Sequence, residues 1–230
     1  MKADISRKQF LKICALLAIT PPSHLFADSV GKAPAKTACP YPATVLVLRE
    51  AYSQEMAAHL HYIAYSRKAL AEHYPNIAYL FSAFSVSEKI HADNYATILC
   101  DLGSGTDGRK PELEICSTKK NLQTASRKEL NKIDKVYPAF VKRLESESYE
   151  KAVACCLYSW KSHRQHEREL KRIDKYVGMF FSHVAKKLEG LDCVYYVCGV
   201  CGSTLTGPPG AACEICNHPA RNYRKISRPV

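Results

Sequence analysis

A carboxylate and an imidazole three residues apart, Glu88 and His91, restrict the fold of this chain more than any other feature. Side chains at positions i and i+3 of a helix share one face. The other residues on that face are apolar: Ile77, Phe81, Phe84, Tyr95 and Ile98. A buried charge is costly unless it is paired or bound to a metal, so other segments must supply partners for this pair. The pattern therefore predicts a helical core with a polar centre.

Four long helical patterns lie in the middle of the chain. They cover residues 44–72, 75–100, 120–146 and 150–188. Pro138 interrupts the third pattern, which predicts a kink or an early end there. Short turns join the first pair and the second pair, and the glycine-containing residues 101–119 form a long crossover between the pairs. This order is the one that a ferritin-like four-helix bundle requires, and we predict an all-α bundle over residues 44–190.

The two predicted hairpins repeat one arrangement of polar residues. Glu55 precedes Glu88 by 88 − 55 = 33 residues, and Glu129 precedes His163 by 163 − 129 = 34 residues. At about 1.5 Å per residue, each group lies roughly 20–30 Å from its turn, so all of them reach one level of the core. Bundles bind two metals with carboxylates that bridge the cations and imidazoles at the ends. The predicted ligands are Glu55, Glu88, His91, Glu129, His163 and His166.

Four cysteines near the C-terminus form two C-x-x-C pairs. They are Cys198, Cys201, Cys213 and Cys216, with eleven residues, 202–212, between the pairs. Two such pairs complete a tetrahedron of thiolates around one iron or zinc ion, although two disulfides are the alternative after export. A domain as short as residues 193–230 usually needs a metal to stay folded. We therefore predict a small metal-stabilised β/loop domain there.

The N-terminal residues 1–27 have the features of a signal peptide. A basic start precedes a short apolar run, and the segment around Lys8 resembles a twin-arginine export signal with lysine in place of the second arginine. The apolar run is too short to span a bilayer, so we expect no stable membrane insertion. Residues 28–43 are rich in Ala, Pro, Ser and Lys and are typical of a linker. The predicted location is the periplasm, and an uncleaved N-terminus is the alternative.

The net charge and the cysteines outside the two C-x-x-C pairs indicate function less specifically than the ligand pattern does. The chain carries 33 Lys and Arg against 22 Asp and Glu, a net charge of +11, yet it has no nucleic-acid-binding motif. The charge indicates solvated helix faces or a surface that docks an acidic redox partner, and we predict no nucleic-acid binding. Cys100 and Cys116 flank the long loop, so a disulfide between them is an alternative to free thiols.

From about Leu48 to its end, the chain resembles the rubrerythrin family. The resemblance rests on Glu55 with Tyr62, Glu88-Lys89-Ile90-His91, Asn121-Leu122 with Glu129, Tyr137-Pro138 with Phe140, His166 and the two cysteine pairs. It implies a ferritin-like bundle fused to a rubredoxin-like domain. It also implies reduction of hydrogen peroxide at a non-haem diiron site, with electrons relayed from a donor protein through the four-cysteine iron. A head-to-tail homodimer is implied, because the relay and the bundle metal are expected to lie too far apart within one chain.

Two residues depart from the family pattern. His163 stands where the family has a glutamate that bridges the metals, and Lys132 stands where it has a second glutamate. Loss of two negative charges should hold ferric ions less well, so we expect a retained site of one or two ions with altered chemistry. His59, one turn after Glu55, is a candidate replacement ligand, and Lys132 is expected to pair with Glu129 or to face solvent. The predicted function is a peroxidase-type oxidoreductase; the alternative is a non-catalytic metal-binding or electron-transfer protein.

Overall fold

The computed structural model describes residues 39–106, 108, 111–174 and 193–230, with the side chains of 172–174 excepted. The predicted signal peptide and most of the predicted linker lie outside these residues. So do residues 175–192, which include the end of the fourth predicted helix and the predicted boundary of the C-terminal domain. Residues 39–230 belong to one compact unit.

Five helical segments form the bundle. They are α1 (Pro42–Ala71), α2 (Pro75–Asp101), α3 (Thr118–Asn131), α4 (Tyr137–Leu144) and α5, described over Glu150–Asp174. α1 and α2 each have a proline in the first turn. An N–H in the first turn has no acceptor within the helix, so a proline, which lacks the N–H, removes no helical hydrogen bond there. The limits of α1 and α2 lie within two residues of the prediction. The described residues of the long crossover form no regular element between Asp101, which ends α2, and Thr118, which begins α3.

A π-helical turn, Lys132–Val136, joins α3 to α4. The sequence predicted a kink or an early end at Pro138, whereas the helix continues and widens just before the proline. The Tyr137 N–H bonds the Lys132 carbonyl, and Pro138 has no N–H to offer. The Ile133 carbonyl therefore lacks a helical donor, and the Trp160 indole N–H donates to it at 3.0 Å.

The apolar core of the bundle is divided by a polar layer. One cluster includes Tyr62, Phe84, Ala125 and Leu170; the other includes Ala51, Tyr95, Tyr137 and Cys156. On each helix the polar ligand residues fall between the members of the two clusters in sequence, except that Ile90 of the first cluster follows Glu88 on α2. This ordering holds the polar layer at one height and surrounds it with apolar packing that excludes water.

A three-stranded antiparallel sheet packs against the bundle. Its strands are β1 (Tyr195–Cys198), β2 (Thr204–Thr206) and β3 (Tyr223–Lys225), in the order β2-β1-β3. Residues Tyr195, Val197 and Ile226 join the apolar cluster that contains Tyr62. The Tyr79 hydroxyl on α2 donates to the Ile226 carbonyl at 2.6 Å, so the sheet and the bundle share a core.

Within the described residues, no helix combines the length and the apolar character that crossing a membrane requires.

Candidate metal centres

The six predicted bundle ligands meet in the polar layer. Each is at most 1% exposed: Glu55, Glu88, His91, Glu129, His163 and His166. Their ligand atoms form two overlapping groups, in each of which all atoms lie within 4.8 Å of one another. The first group contains Glu55, Glu88, His91 and His163, and the second contains Glu88, Glu129, His163 and His166. Glu88 and His163 belong to both groups, so the structure brings together every residue predicted for this centre.

The second group contains buried polar atoms without a partner. Glu88 Oε1 and His166 Nδ1 make no hydrogen bond among the described residues, although they lie only 3.3 Å apart. Buried polar atoms are almost always paired, so two adjacent exceptions need an explanation. Carboxylate oxygen and imidazole nitrogen are ligands of iron and zinc, and a bound cation would satisfy both atoms. The residues present therefore fit a metal ion.

Lys132 lies inside the centre. Its Nζ is 2.5 Å from Glu55 Oε2 and 3.8 Å from Glu88 Oε1, and the side chain is buried. The expectation that Lys132 pairs with Glu129 or faces solvent is therefore wrong. The physical reason is that Lys132 lies three residues after Glu129 on the same helix face, and its long side chain reaches across the polar layer to Glu55 on α1.

His59 does not join the centre. Its Nδ1 lies 2.8 Å from the Ser85 carbonyl and 3.0 Å from the Ser85 hydroxyl, and His59 belongs to neither ligand group. The prediction that it replaces a lost ligand is therefore wrong. His59 follows Glu55 by one helical turn and therefore lies beside it. The imidazole instead contacts the carbonyl and hydroxyl of Ser85 on the neighbouring helix α2, outside the polar layer.

Two tyrosines orient the carboxylates. The Tyr62 hydroxyl donates to Glu129 Oε1 at 2.5 Å, and the Tyr137 hydroxyl donates to Glu55 Oε1 at 2.7 Å. The sequence analysis gave Tyr137 no role in the centre. The signal that could have found it is its place among the residues that carry the family resemblance.

The side chains of the centre favour one another's charged forms. Burial raises the pKa of Glu88, but Lys132 and His163 lower it more, so its pKa lies well below the usual range. Burial and Lys132 lower the pKa of His163, but Glu88, Glu129 and Glu55 raise it to about 10. Burial also lowers the pKa of Lys132, and the carboxylates of Glu55 and Glu88 raise it above its ordinary value. Protein cations thus balance the carboxylates without a metal.

The four predicted cysteines form the second centre. Cys198, Cys201, Cys213 and Cys216 are buried, and their sulfur atoms lie within 4.8 Å of one another. All four are free thiols, and the Sγ atoms of Cys201 and Cys213 are 3.5 Å apart, so the alternative of two disulfides is wrong. A hydrogen bond from Cys201 lowers the pKa of the Cys198 thiol to about 5, and the Tyr223 hydroxyl donates to Cys213 Sγ at 3.1 Å. Four buried sulfur atoms this close together fit one iron or zinc ion.

The remaining pair of cysteines on the long loop is also free. Cys100 and Cys116 form no disulfide in the structure, so the alternative of a bridge across the loop is wrong.

His91 connects the two centres. Its Nδ1 is 2.9 Å from Glu88 Oε2, and its Nε2 is 3.1 Å from the Cys201 carbonyl oxygen. Gly202 makes this approach possible, because a Cβ there would lie 2.4 Å from His91 Nε2. The Ser87 hydroxyl on α2 holds the Gly202 carbonyl at 2.6 Å. The expectation that one chain leaves the two centres far apart is therefore wrong, although the predicted homodimer stays a prediction.

A cavity of about 480 Å³ leads toward the bundle centre between α1 and α3. Its lining includes Gln54, Tyr62, Arg127, Lys128, Glu129 and Lys132. Glu129 and Lys132 belong to the polar layer, so the cavity provides a route by which a small molecule can approach the buried centre.

The chain is similar in sequence to members of one protein family. The family model described as Rubrerythrin matches residues 47–174. Rubrerythrin-2 of Clostridium acetobutylicum is 28% identical over 171 residues, covering 74% of this chain and 89% of that protein. Nigerythrin of Nitratidesulfovibrio vulgaris is 26% identical over 179 residues, covering 76% of this chain and 83% of that protein.

Solved structures show the same fold. The fully reduced, all-ferrous state of nigerythrin has a TM-score of 0.68 at 22% identity, covering 87% of this chain and 91% of that one. Bacterioferritin of Desulfovibrio desulfuricans, described with a diiron site, has a TM-score of 0.61 at 16% identity. The family model spans more than half of the chain, and the predicted ligands converge in the bundle. The chain therefore belongs to the rubrerythrin family, whose members are diiron oxidoreductases.

Proposed function

We propose that this protein reduces hydrogen peroxide at the bundle centre with electrons supplied by an iron ion at the four cysteines. The observation that carries the proposal is the position of His91. One imidazole lies within hydrogen-bond distance of a bundle carboxylate, Glu88, and of the backbone of a cysteine ligand, Cys201. A contact of this kind gives electrons a short route between the two centres through one side chain.

The side chains of the polar layer can bind the metal, orient its carboxylate ligands and hold protons. Reduction of hydrogen peroxide to two waters consumes two electrons and two protons. Iron held by the carboxylates and imidazoles of the polar layer would supply a site for peroxide and the electrons. The Tyr62 and Tyr137 hydroxyls fix the orientation of Glu129 and Glu55. Lys132 Nζ holds protons inside the centre, beside the Glu55 carboxylate.

Access to the centre suits a small substrate. The ligands themselves are buried, and the cavity beside Glu129 and Lys132 has room for a small molecule to approach them. The apolar clusters on both sides of the polar layer exclude bulk water. Hydrogen peroxide, which is small and uncharged, fits this route better than a large or strongly charged substrate.

A second candidate function is metal binding and electron transfer without peroxide turnover. The observation that favours it is the buried ion pair between Lys132 and Glu55, which engages a carboxylate that the family uses as a ligand. In this case the bundle centre accepts electrons from the cysteine centre but does not reduce peroxide.

A peroxide consumption assay separates the two candidates. Protein expressed with iron and purified without oxygen is mixed with hydrogen peroxide and a reduced electron donor, and its metal content is measured in parallel. Turnover supports the peroxidase. Absence of turnover at full bundle metal content contradicts it and supports the second candidate, and the double substitution His163→Glu, Lys132→Glu should then restore turnover.

The visible spectrum tests the relay separately. A reduced-minus-oxidised change from the four-cysteine centre supports an iron relay. A colourless, zinc-loaded centre removes the relay from the proposed mechanism, because zinc has no redox chemistry.

The proposal extends to partners and location. A redox protein supplies electrons to the cysteine centre, and the protein acts as a homodimer in the periplasm. Gel filtration that gives only monomer contradicts the dimer. Cell fractionation that leaves the protein in the cytoplasm contradicts export.

A further inference from the structure

The first ligand group is occupied by donors of the chain itself. Glu55 Oε2 accepts from Lys132 Nζ at 2.5 Å. Glu55 Oε1 accepts from the Tyr137 hydroxyl at 2.7 Å and lies 3.3 Å from His163 Nε2. Both oxygens of Glu55 are therefore engaged, and an ion in the first group would have to displace an ammonium that is tethered in place.

The second ligand group has the dimensions of a single metal site. His163 Nδ1 lies 2.7 Å from Glu129 Oε2 and 3.7 Å from Glu88 Oε1. His166 Nδ1 lies 3.3 Å from Glu88 Oε1 and 3.8 Å from Glu129 Oε2. Metal–ligand bonds of about 2.1 Å give a tetrahedron with edges of about 3.4 Å, close to the middle of these distances. The two unpartnered atoms, Glu88 Oε1 and His166 Nδ1, both belong to this group.

His163 cannot bind a metal ion in each of the two groups at once, as a carboxylate at this position could. A carboxylate offers one oxygen to each of two ions, whereas a neutral imidazole has one lone pair for one metal. Its Nδ1 faces the carboxylates of the second group, and its Nε2 faces Glu55 and the Tyr137 hydroxyl at 3.3 Å each. The bridge between two metals is therefore reduced to Glu88 alone.

The charges of the centre also favour one ion. Glu55, Glu88 and Glu129 contribute three negative charges, and Lys132 contributes one positive charge. One divalent ion brings the sum to zero with the histidines neutral, whereas two divalent ions leave two positive charges buried. A proton on any histidine makes the state with two ions still more positive. Uncompensated buried charge is strongly unfavourable.

We infer that the bundle binds one divalent metal ion, held by Glu88, Glu129, His163 and His166, and that the ammonium of Lys132 takes the place of a second ion. The inference rests on metal binding in the proposed function but not on peroxide turnover. The ammonium of Lys132 compensates the charge of Glu55 and prevents a metal ion from binding in the first group.

Elemental analysis of the full-length protein tests the inference. Protein is loaded with ferrous ion without oxygen and desalted, and its total metal per chain, iron plus zinc, is measured. One ion at the cysteines and one in the bundle give two per chain. Three ions per chain overturn the inference and leave the proposed peroxidase intact. One ion per chain, with an empty bundle, overturns both proposals.

Variants show which residues set the count. Lys132→Glu should raise the content from two ions to three, because it removes the tethered cation and adds a ligand. Lys135→Glu makes the same charge change at an exposed position three residues later, outside the cavity lining, and should leave two. His166→Ala should lower the content to one. Circular dichroism shows whether Lys132→Glu folds. If it folds and still binds two ions, the role assigned to Lys132 is wrong. If it does not fold, the number of ions bound by the wild-type protein tests the inference.

Discussion

At the scale of single residues, Gly202 controls how closely the C-terminal sheet approaches the bundle. It has a φ of +76°, a conformation that residues with a side chain adopt at a cost. A Cβ there would also lie 2.4 Å from His91 Nε2 and 2.9 Å from the Ser87 hydroxyl. The backbone of Gly202 and its neighbour Cys201 thereby reach both α2 and α5, since the Ser162 hydroxyl donates to the Gly202 carbonyl as well.

Gly202→Ala should therefore push the cysteine centre away from His91. We expect destabilisation by about 1–3 kcal/mol from backbone strain and the clash. The cysteine iron should also be oxidised more slowly by peroxide at unchanged metal content. Urea unfolding measures the first effect, and stopped-flow absorbance measures the second.

Gly207→Ala is the matched control for this experiment. Gly207 also has a positive φ, +107°, but an added Cβ would meet nothing within 4 Å. It should therefore show the backbone cost without the slower electron transfer. Equal oxidation rates for the two variants would contradict the role assigned to Gly202.

At the scale of elements, Glu147 ties the turn before α5 to the start of α1. Its Oε1 accepts from the Ala43 N–H and its Oε2 from the Thr44 N–H, both at 2.8 Å. These N–H groups have no partner within the helix, and a carboxylate beside them also interacts favourably with the helix dipole. The two hairpins of the bundle are thus joined at this end by one side chain.

Glu147→Ala should lower the free energy of unfolding by about 1 kcal/mol, the usual value of a helix cap. Partial burial raises the pKa of Glu147, but its hydrogen bonds with Thr44 and Ala43 lower it more, so its pKa is below the ordinary value. A depressed folded-state pKa means that the contribution is present above the unfolded pKa and is lost as the pH falls toward the folded pKa. Urea unfolding at neutral and acidic pH should show the difference from wild type only at the higher pH. Glu145→Ala, exposed in the same turn, should change little at either pH.

At the scale of the whole molecule, the sheet and the bundle depend on each other through one shared core and two adjacent centres. Tyr195, Val197 and Ile226 pack with the apolar residues of α2, and the four cysteines hold the loops that carry Gly202. Three short strands bury too little apolar surface to stay folded by themselves. The metal at the cysteines should therefore stabilise this end of the molecule.

Removal of the metal at the cysteines should loosen residues 193–230 and leave the helices largely intact. Metal–thiolate bonds contribute directly to the folding of small domains, and the bundle has its own apolar clusters. Hydrogen exchange measured by mass spectrometry should show faster exchange in 193–230 after Cys213→Ser, with α4 protected as before. Cys100→Ser, which changes an exposed thiol, is the control. Unchanged protection of 193–230 in Cys213→Ser would contradict this account.

Much of the architecture and of the ligand set followed from the sequence alone. Apolar spacing within one helix is a local property, so it located α1 and α2 within two residues. The 33- and 34-residue spacings placed six ligands in one layer, and the C-x-x-C pairs identified the cysteine centre. The grouping of these side chains could be predicted because it depends on regular helical geometry and on the spacing of residues, both of which are properties of short stretches of sequence.

Only the tertiary structure decided where Lys132 and His91 point. A π-helical turn changes the register after Lys132 without any periodic signal, and Lys132 itself pairs with Glu55 on another helix. The contact of His91 with Cys201 joins residues 110 positions apart and depends on the fit of Gly202. The sequence by itself determined which candidate ligands lie at each helical position, because their spacing follows regular helical geometry. The packing of distant segments decided that Glu55 faces the ammonium of Lys132, and it decided how near the two centres lie.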